Sequence, residues 1–206
     1  MTKKDKPMVV LAAGGTGGHV FPAEALAAEL AGRGYGVALL TDRRGEDFGE
    51  AFKDIDIHRI HAGGLAGKGL GARISSAAKM AWGLVQARRL LKVLKPGVVV
   101  GFGGYASVPT MMGATGGNIR TVIHEQNAVL GRANRLLASR VSRIATSFRN
   151  SEGLIPENAG KVVHTGMPVR PAIAAMRGRP YPSLQGDGPV NLLILGGSQG
   201  RGFSPK

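Results

Sequence analysis

A glycine-rich turn near the amino terminus carries residue types that could bind an anionic ligand and move a proton. The segment 9–23 reads VVLAAGGTGGHVFPA, which combines a strand-like run, a bare turn and a helix start. Glycines let the backbone approach a ligand closely, and the unpaired N–H groups at the start of a helix favour negative charge. Pro22 suits the first turn of that helix, and His19 adds an imidazole for acid–base chemistry. The segment therefore predicts a site for an anionic, nucleotide-like ligand.

The same turn admits a second interpretation, a dinucleotide site of the G-x-G-x-x-G type. Gly15 and Gly17 fit the first two positions, but Val20 occupies the third. Asp42, placed to bind a ribose, is followed by two arginines. A P-loop is excluded because no lysine followed by Ser or Thr closes the glycine run. A nucleotide-dependent oxidoreductase therefore remains an alternative.

Two further patterns resemble sites but are better explained otherwise. The sequence GGSQG at 196–200 matches a hydrolase nucleophile elbow, yet no histidine follows it. Asp54 and Asp56 have the spacing of a metal-binding pair, but alternation on a strand also places two solvated carboxylates on one face. We therefore predict neither a hydrolase nor a metal site, and no cofactor.

Composition limits the possible partners. The 206 residues carry a formal net charge of +14, which favours phosphates, nucleic acid or an anionic membrane surface. Aromatic residues make up only 5% and no nucleic-acid motif accompanies the basic residues, so we expect no nucleic acid. The sequence has no cysteine, which fits a reducing compartment, and no apolar run long enough for a signal peptide or a bilayer span.

Short Val/Ile/Leu runs alternate with helical stretches, a pattern typical of an α/β fold with a parallel sheet and helices on both faces. We predict strands at 8–12, 37–41, 58–60, 98–100, 121–124, 143–145 and 162–165. Helices are predicted at 22–31, 46–53, 72–95, 107–115 and 131–139. In such open sheets ligands bind at the carboxyl ends of the strands, where the glycine turns fall.

Composition also changes along the chain. A stretch rich in Pro, Gly and isolated polar residues is typical of a linker and precedes a new strand at 190–195. We predict a first domain over 1–172, a linker over 173–189 and the start of a truncated second domain over 190–206.

The helix predicted at 72–95 carries two apolar strips. The strip expected to face the core repeats every three or four residues and comprises Ala77, Met80, Leu84, Ala87, Leu91 and Leu94. The second strip lies on a different side, near Lys79, Arg89 and Lys92, and comprises Ile74, Ala78, Ala81, Trp82 and Val85. Such a basic amphipathic face is typical of contact with an anionic membrane, and burial beneath a neighbouring loop is the alternative.

Five motifs stand in the order found in a known family. They are GGTGGHVFP at 14–22, GGY at 103–105, HEQN at 124–127, GMPVRP at 166–171 and GGSQG at 196–200. In this order they resemble the MurG family, the N-acetylglucosaminyltransferases of peptidoglycan synthesis. The resemblance covers essentially the whole chain and implies the amino-terminal Rossmann-like domain of a GT-B fold. Met167 stands where the family usually carries asparagine, and most of the second domain is absent, so we expect weak donor binding and little transfer.

The resemblance implies a specific reaction and location. N-acetylglucosamine passes from UDP-N-acetylglucosamine to the C4 hydroxyl of the muramoyl sugar of lipid I, undecaprenyl-pyrophosphoryl-muramoylpentapeptide, giving lipid II with inversion. The enzyme is expected at the cytoplasmic side of the inner membrane as a peripheral protein. Such a displacement needs a base, positive groups for the departing diphosphate and a sugar held for in-line attack. A non-catalytic basic membrane-binding domain is the remaining alternative.

The resemblance also implies roles for individual residues. His19 is the candidate base, with a loop-orienting role as the alternative, and Glu125 either orients it or replaces it. The residues matching donor-binding positions are Thr16, Gly17, Gly18, Asn127, Arg170 and Ser198. The candidates for the acceptor side are Lys68, Arg73, Gly103, Gly104 and Tyr105. Lys68 and Arg73 would suit the lipid diphosphate, although a plain flexible loop explains the glycines around Lys68 equally well.

Overall fold

The computed structural model describes residues 7–14, 17–42, 52–64 and 69–180. Most of the helix predicted at 46–53 and the strand predicted at 190–195 lie outside these ranges, as do Thr16, Lys68 and Ser198. The predicted domain boundaries therefore stay predictions.

Seven parallel strands form one sheet in the described part of the chain. The strands are β1 (Met8–Ala12), β2 (Gly36–Thr41), β3 (Asp56–Arg59), β4 (Val98–Gly101), β5 (Arg120–Glu125), β6 (Arg143–Thr146) and β7 (Val162–His164). Their order is β3-β2-β1-β4-β5-β6-β7, so the chain changes direction across the sheet between β1 and β4. All seven predicted strands are confirmed, and a crevice at the β1/β4 switch point is where ligands of such sheets bind.

The helices are α1 (Gly17–Gly32), α2 (Leu70–Leu94), α3 (Ser107–Gly116), α4 (Arg132–Leu137) and α5 (Pro171–Ala174), with a 3-10 helix at Pro156–Lys161. The prediction that Pro22 opens the first helix is wrong, because α1 begins at Gly17 and contains Pro22. Proline lacks an N–H group, so Pro22 removes one helical hydrogen bond from this turn. The helix start and its free N–H groups therefore lie within the glycine motif itself.

Helices cover both faces of the sheet, as predicted. Alternation along β1 sends Val9 and Leu11 to the face where Ala23 and Ala27 of α1 pack. Val10 faces the opposite side, where it joins a core cluster formed with α2, α3 and α4. Strands buried on both faces explain the nearly continuous apolar runs in the sequence.

The core-facing side of α2 differs from the prediction at its amino-terminal half. Ala77 is exposed, and the buried positions there are Ser76 and Gly83. The backbone of the segment 61–64 crosses this part of the helix: Ser76 donates a hydrogen bond to the carbonyl of Gly64 at 3.1 Å. A Cβ at Gly83 would lie 1.9 Å from the carbonyl oxygen of His61. Here α2 packs against the backbone of residues 61–64 rather than against apolar side chains, so the helix carries small residues at Ser76 and Gly83.

Candidate functional site

A cleft of about 330 Å³ opens at the carboxyl ends of β1, β4 and β5. Its lining includes His19, Gly103, Gly104, Tyr105, Glu125, Asn127 and Asn134. Since β1 and β4 flank the switch point, the fold brings together residues that lie more than one hundred positions apart in the sequence. The motifs at the ends of these three strands therefore form one site.

The ring of His19 packs against bare backbone. A Cβ at Gly103 would lie 3.3 Å from His19 Cε1, and one at Gly104 would lie 3.2 Å from His19 Cδ2. Both glycines have positive φ, at 86° and 73°, a region that side-chain-bearing residues rarely adopt. Gly14 closes the third side, with His19 Cδ2 3.6 Å from its Cβ position. These three glycines, which we call the glycine cradle, fix the position of the imidazole.

Glu125 is 1% exposed, and its carboxylate organises the loop that follows β5. Its Oε1 accepts hydrogen bonds from the backbone N–H of Asn127 at 3.0 Å and from Asn127 Nδ2 at 2.9 Å. Its Oε2 accepts from the backbone N–H of Gly131 at 2.9 Å and from Asn134 Nδ2 at 2.8 Å. Satisfied hydrogen bonds are what a buried carboxylate requires. The carboxylate thereby holds the exposed Asn127 at the rim of the cleft.

His124 anchors the segment that leaves β7. Its Nε2 lies 3.1 Å from the carbonyl oxygen of Gly166 and must therefore carry the proton. Burial lowers the pKa of His124 below its ordinary value of 6.5, although the hydrogen bond to Gly166 and the negative charge of Glu125 act in the opposite direction. The ring also packs on Phe102, with centroids 5.6 Å apart. Burial thus favours the neutral form of His124, whose ring links β5 to the segment that follows β7.

Arg170 lies beside the start of α1. Its guanidinium carbon is 4.2 Å from the centre of the Phe21 ring, a cation–π contact. The Phe21 ring in turn covers Gly17, since a Cβ there would lie 2.9 Å from Phe21 Cε2. A positive side chain and the positive end of a helix thus adjoin each other, and both favour an anionic group.

The structure brings together most, but not all, of the residues singled out in the sequence. His19, Gly103, Gly104, Tyr105, Glu125 and Asn127 line one cleft. Gly17, Gly18 and Arg170 lie at the first turn of α1, whereas Arg73 is exposed on α2 and does not line the cleft. Among the residues described, no group of acidic, histidine or cysteine side chains could hold a metal ion.

Sequence reasoning missed two residues of this region. Asn134 contacts Glu125, and Phe21 contacts Arg170. An asparagine on an otherwise apolar helix face is the one signal that could have indicated Asn134, because a buried amide needs polar partners. Phe21 gave no such signal.

Comparison with known proteins identifies the family. Residues 9–146 match the family model described as the glycosyltransferase family 28 N-terminal domain. A protein of Paramagnetospirillum magneticum, named UDP-N-acetylglucosamine--N-acetylmuramyl-(pentapeptide) pyrophosphoryl-undecaprenol N-acetylglucosamine transferase, is 56% identical over 195 residues, covering 95% of this chain and 53% of that protein. A protein of the same name from Sinorhizobium medicae is 50% identical over 206 residues, covering 98% of this chain and 54% of its own length.

Solved structures agree with this match. The crystal structure of Acinetobacter baumannii MurG has a TM-score of 0.70 at 34% identity, covering 95% of this chain and 53% of that one. A UDP-N-acetylglucosamine 2-epimerase shares the fold alone, with a TM-score of 0.56 at 17% identity. The chain spans about half the length of the curated relatives it matches. The expected resemblance to MurG and the Rossmann-like amino-terminal half of a GT-B fold are confirmed, and the chain belongs to glycosyltransferase family 28.

Proposed function

We propose that this chain supplies the acceptor-side half of an enzyme that transfers N-acetylglucosamine from UDP-N-acetylglucosamine to lipid I, giving lipid II with inversion. The names of the relatives support this reaction class. The observation that carries the proposal is a single cleft, at the switch point of the sheet, that combines an imidazole fixed by glycines with a loop fixed by a buried carboxylate. The family match favours the transferase over the oxidoreductase.

In this proposal His19 takes the proton from the acceptor hydroxyl. Its ring lines the cleft and is partly exposed, so a hydroxyl can reach it. Glu125 is a poor candidate for the base, because it is buried and both of its oxygens accept hydrogen bonds from N–H groups. The carboxylate instead orients Asn127, whose exposed amide can bind sugar hydroxyls or the acetamido group.

The start of α1 is the proposed place for a diphosphate of the donor. The first N–H groups of a helix have no partners within the helix, and Gly17 and Gly18 offer them without obstruction by a Cβ. Arg170, held over Phe21, adds a full positive charge beside them. Charge that develops on the departing diphosphate during transfer would be stabilised here.

A chimera tests the reaction. Joining residues 1–180 of this chain to the carboxy-terminal half of the Paramagnetospirillum magneticum relative supplies a matching second domain. We expect transfer from radiolabelled UDP-N-acetylglucosamine to a lipid I analogue, and a loss of about 10²-fold or more in His19→Ala, the scale of general-base removal. Asn127→Ala should lower transfer as well. A chimera that folds, binds UDP-N-acetylglucosamine and transfers nothing would overturn the proposal.

We also propose peripheral contact with the anionic cytoplasmic surface of the inner membrane through the second apolar strip of α2. Ile74 and Trp82 are 64% and 50% exposed, and Lys79, Arg89 and Lys92 are exposed around them. None of the helices that the structure describes is long and apolar enough to cross a bilayer. An exposed apolar strip bordered by cations fits insertion at the lipid interface.

Trp82 is the one tryptophan of the sequence, so its fluorescence reports this contact directly. Vesicles containing anionic lipid should shift its emission to shorter wavelength, and neutral vesicles should not. Ile74→Ser should weaken vesicle binding. Ile155→Ser is the matched control, since Ile155 is also an exposed isoleucine, at 52%, and lies outside α2. Equal loss in both variants, or no binding by the wild-type chain, would refute the proposal.

A further inference from the structure

Arg132 is the first residue of α4 and contributes to the lining of the cleft. It is exposed, and among the residues that the structure describes it takes part in no hydrogen bond and no ion pair. The other arginine of α4, Arg135, instead donates to the backbone carbonyl of Leu130 at 3.3 Å. Arg132 is therefore a cation of the cleft wall that the described part of the fold does not use.

Two hydrogen bonds to Glu125 fix the backbone that carries Arg132. Oε2 of Glu125 accepts from the backbone N–H of Gly131 at 2.9 Å and from Nδ2 of Asn134 at 2.8 Å. Arg132 stands between these two residues in the sequence, so its Cα has little freedom, whereas its long exposed side chain can adjust to a ligand. The carboxylate that holds Asn127 at the rim of the cleft thus also sets the place of Arg132.

The charges in the described lining of the cleft favour an anionic ligand. Glu125 is the one acidic residue of that lining, but it is 1% exposed and each of its oxygens already accepts two hydrogen bonds. Arg132 is exposed and stays protonated at physiological pH. A ligand that enters the cleft therefore meets a free positive charge and a carboxylate whose oxygens are occupied. A planar guanidinium suits a phosphate group in particular, because it can donate two parallel hydrogen bonds to it.

The starts of α1 and α4 lie at different places along the edge of the sheet. The helix α1 follows β1, α4 follows β5, and β4 stands between these two strands. Neighbouring strands are about 4.8 Å apart, so the ends of β1 and β5 are about 10 Å from each other. Arg170 adjoins the start of α1 through Phe21 and is not part of the described lining of the cleft. The chain thus offers two separate positive positions, one after β1 and one after β5.

The proposed reaction needs two such positions. The donor carries a diphosphate, and the name of the relatives gives the acceptor a pyrophosphoryl group. In the acceptor sugar the reacting C4 hydroxyl lies across the ring from C1, which bears the pyrophosphoryl group. When the C4 hydroxyl is at His19, the pyrophosphoryl group is therefore held away from the donor diphosphate by the width of a sugar ring. Each of the two anions then needs its own cation.

We propose that Arg132 binds the pyrophosphoryl group of the acceptor. The identity of this ligand rests on the proposed function, and its place rests on the geometry of the cleft. Arg73, which the resemblance made a candidate for this role, is exposed on α2 outside the described lining. The cleft, at about 330 Å³, is at the small end of the range of about 300–1,000 Å³ for small-molecule sites. It therefore suits a sugar with its phosphates better than the carboxylates of a pentapeptide.

Binding to the 206-residue chain tests this assignment without any transfer reaction. The probe is a short-chain prenyl-pyrophosphoryl-N-acetylmuramyl-pentapeptide, titrated while NMR records the Nε–H signals of the arginines. The Arg132 signal is identified by its loss in Arg132→Gln, and we expect the probe to move it. Arg132→Gln should weaken binding about tenfold, the lower end for a hydrogen bond to a charged group, because the side chain is exposed. N-acetylmuramyl-pentapeptide without the pyrophosphoryl group should bind the wild-type chain and the variant equally.

Arg140→Gln is the matched control, because it removes the same charge from an exposed arginine beyond the end of α4 that does not line the cleft. This control should bind the probe as the wild-type chain does, and Arg132→Lys, which keeps the charge, should recover part of the affinity. Equal weakening in both glutamine variants would overturn the proposal, as would an Arg132 signal that the probe does not move. A loss of affinity in Arg132→Gln that persists without the pyrophosphoryl group would overturn it too, and would assign Arg132 to the peptide carboxylates.

The active chimera separates this proposal from the proposed function. Arg132→Gln should raise KM for the acceptor about tenfold and leave kcat and the KM for the donor nearly unchanged, because it removes binding rather than chemistry. If the chimera transfers N-acetylglucosamine and Arg132→Gln changes nothing, the assignment of Arg132 fails and the proposed function stands. If the chimera transfers nothing while the Arg132 signal still follows the pyrophosphoryl probe, the proposed function fails and the assignment stands.

Discussion

Replacing Glu125 by glutamine tests whether its carboxylate organises the cleft. The glutamine amide puts an NH₂ group where one carboxylate oxygen stood. On the Oε1 side it would face two N–H groups of Asn127, and on the Oε2 side it would face the N–H of Gly131 and Nδ2 of Asn134. In either orientation two donors lose their acceptor and meet a donor instead.

The magnitude follows from these contacts. A hydrogen bond to a charged group contributes about 1.5–3 kcal/mol, so losing two costs about 3–6 kcal/mol. A neutral amide is easier to bury than a carboxylate, which offsets part of this cost. We therefore expect Glu125→Gln to lower the free energy of unfolding by about 2–4 kcal/mol, out of a total of about 5–15 kcal/mol for a typical domain.

Urea unfolding followed by far-ultraviolet circular dichroism measures this loss. With a slope of about 2 kcal/mol per molar urea, the midpoint should fall by about 1–2 M. Glu152→Gln is the matched control, because Glu152 is an exposed glutamate next to the same loop. Equal midpoints for the two variants would show that the carboxylate is not what holds the loop, and the reasoning would be refuted.

Three further predictions concern the surrounding structure. Gly83→Ala should destabilise the chain by about 3 kcal/mol or more, because the new Cβ would lie 1.9 Å from a backbone carbonyl oxygen. Gly71→Ala in the same helix is the control: no atom lies within 4 Å of its Cβ position, so it should be neutral or stabilising by up to about 1 kcal/mol. Equal urea midpoints for the two variants would contradict the contact between Gly83 and the backbone of His61. Because burial lowers the pKa of His124, the unfolded chain takes up this proton at higher pH than the folded chain, so stability should fall as pH drops below about 6.5, by up to about 1.4 kcal/mol per pH unit. Urea titrations across pH should show a shallower acid decline in His124→Gln, and an unchanged decline would refute this assignment. Phe21→Leu should move the Nε–H proton signal of Arg170 downfield, since the shielding ring is gone, while costing no more than about 1 kcal/mol; an unmoved signal would show that the two side chains do not stack in solution.

The sheet could be predicted from the sequence because most of its strands are short runs of β-branched and apolar residues, β3 with the sequence DIHR being the exception. The predictions were wrong where a residue fits two local structures equally well, as at the start of α1 and on the core-facing side of α2. Pro22 fits the first turn of a helix, yet α1 begins at Gly17, because Gly17 and Gly18 adopt helical geometry, which the low helix propensity of glycine does not predict. Ala77 fits the apolar repeat of α2, but the contact there is with backbone, which periodicity does not reveal.

The site was predictable to the extent that its residues share motifs. His19, Glu125 and Asn127 belong to short segments that follow strands, and parallel strands bring their carboxyl ends to one edge. Asn134 and Phe21 were missed because their partners, Glu125 and Arg170, are brought to them only by the fold. Side-chain contacts between residues far apart in the sequence produce no characteristic spacing that a single sequence would reveal.

The contact of Arg170 with Phe21 joins the first turn of α1 to the part of the chain that has just left the last strand. A displacement of the first turn of α1 should therefore displace the segment around Arg170, and the reverse. If an anion bound at that turn draws Arg170 inward, the departing chain loses freedom, and whatever restrains the departing chain must strengthen anion binding by the same factor. Under that condition the stacked pair couples the position of the departing chain to anion binding at the first turn of α1, by no more than the free energy of the cation–π contact, about 0.5–2 kcal/mol.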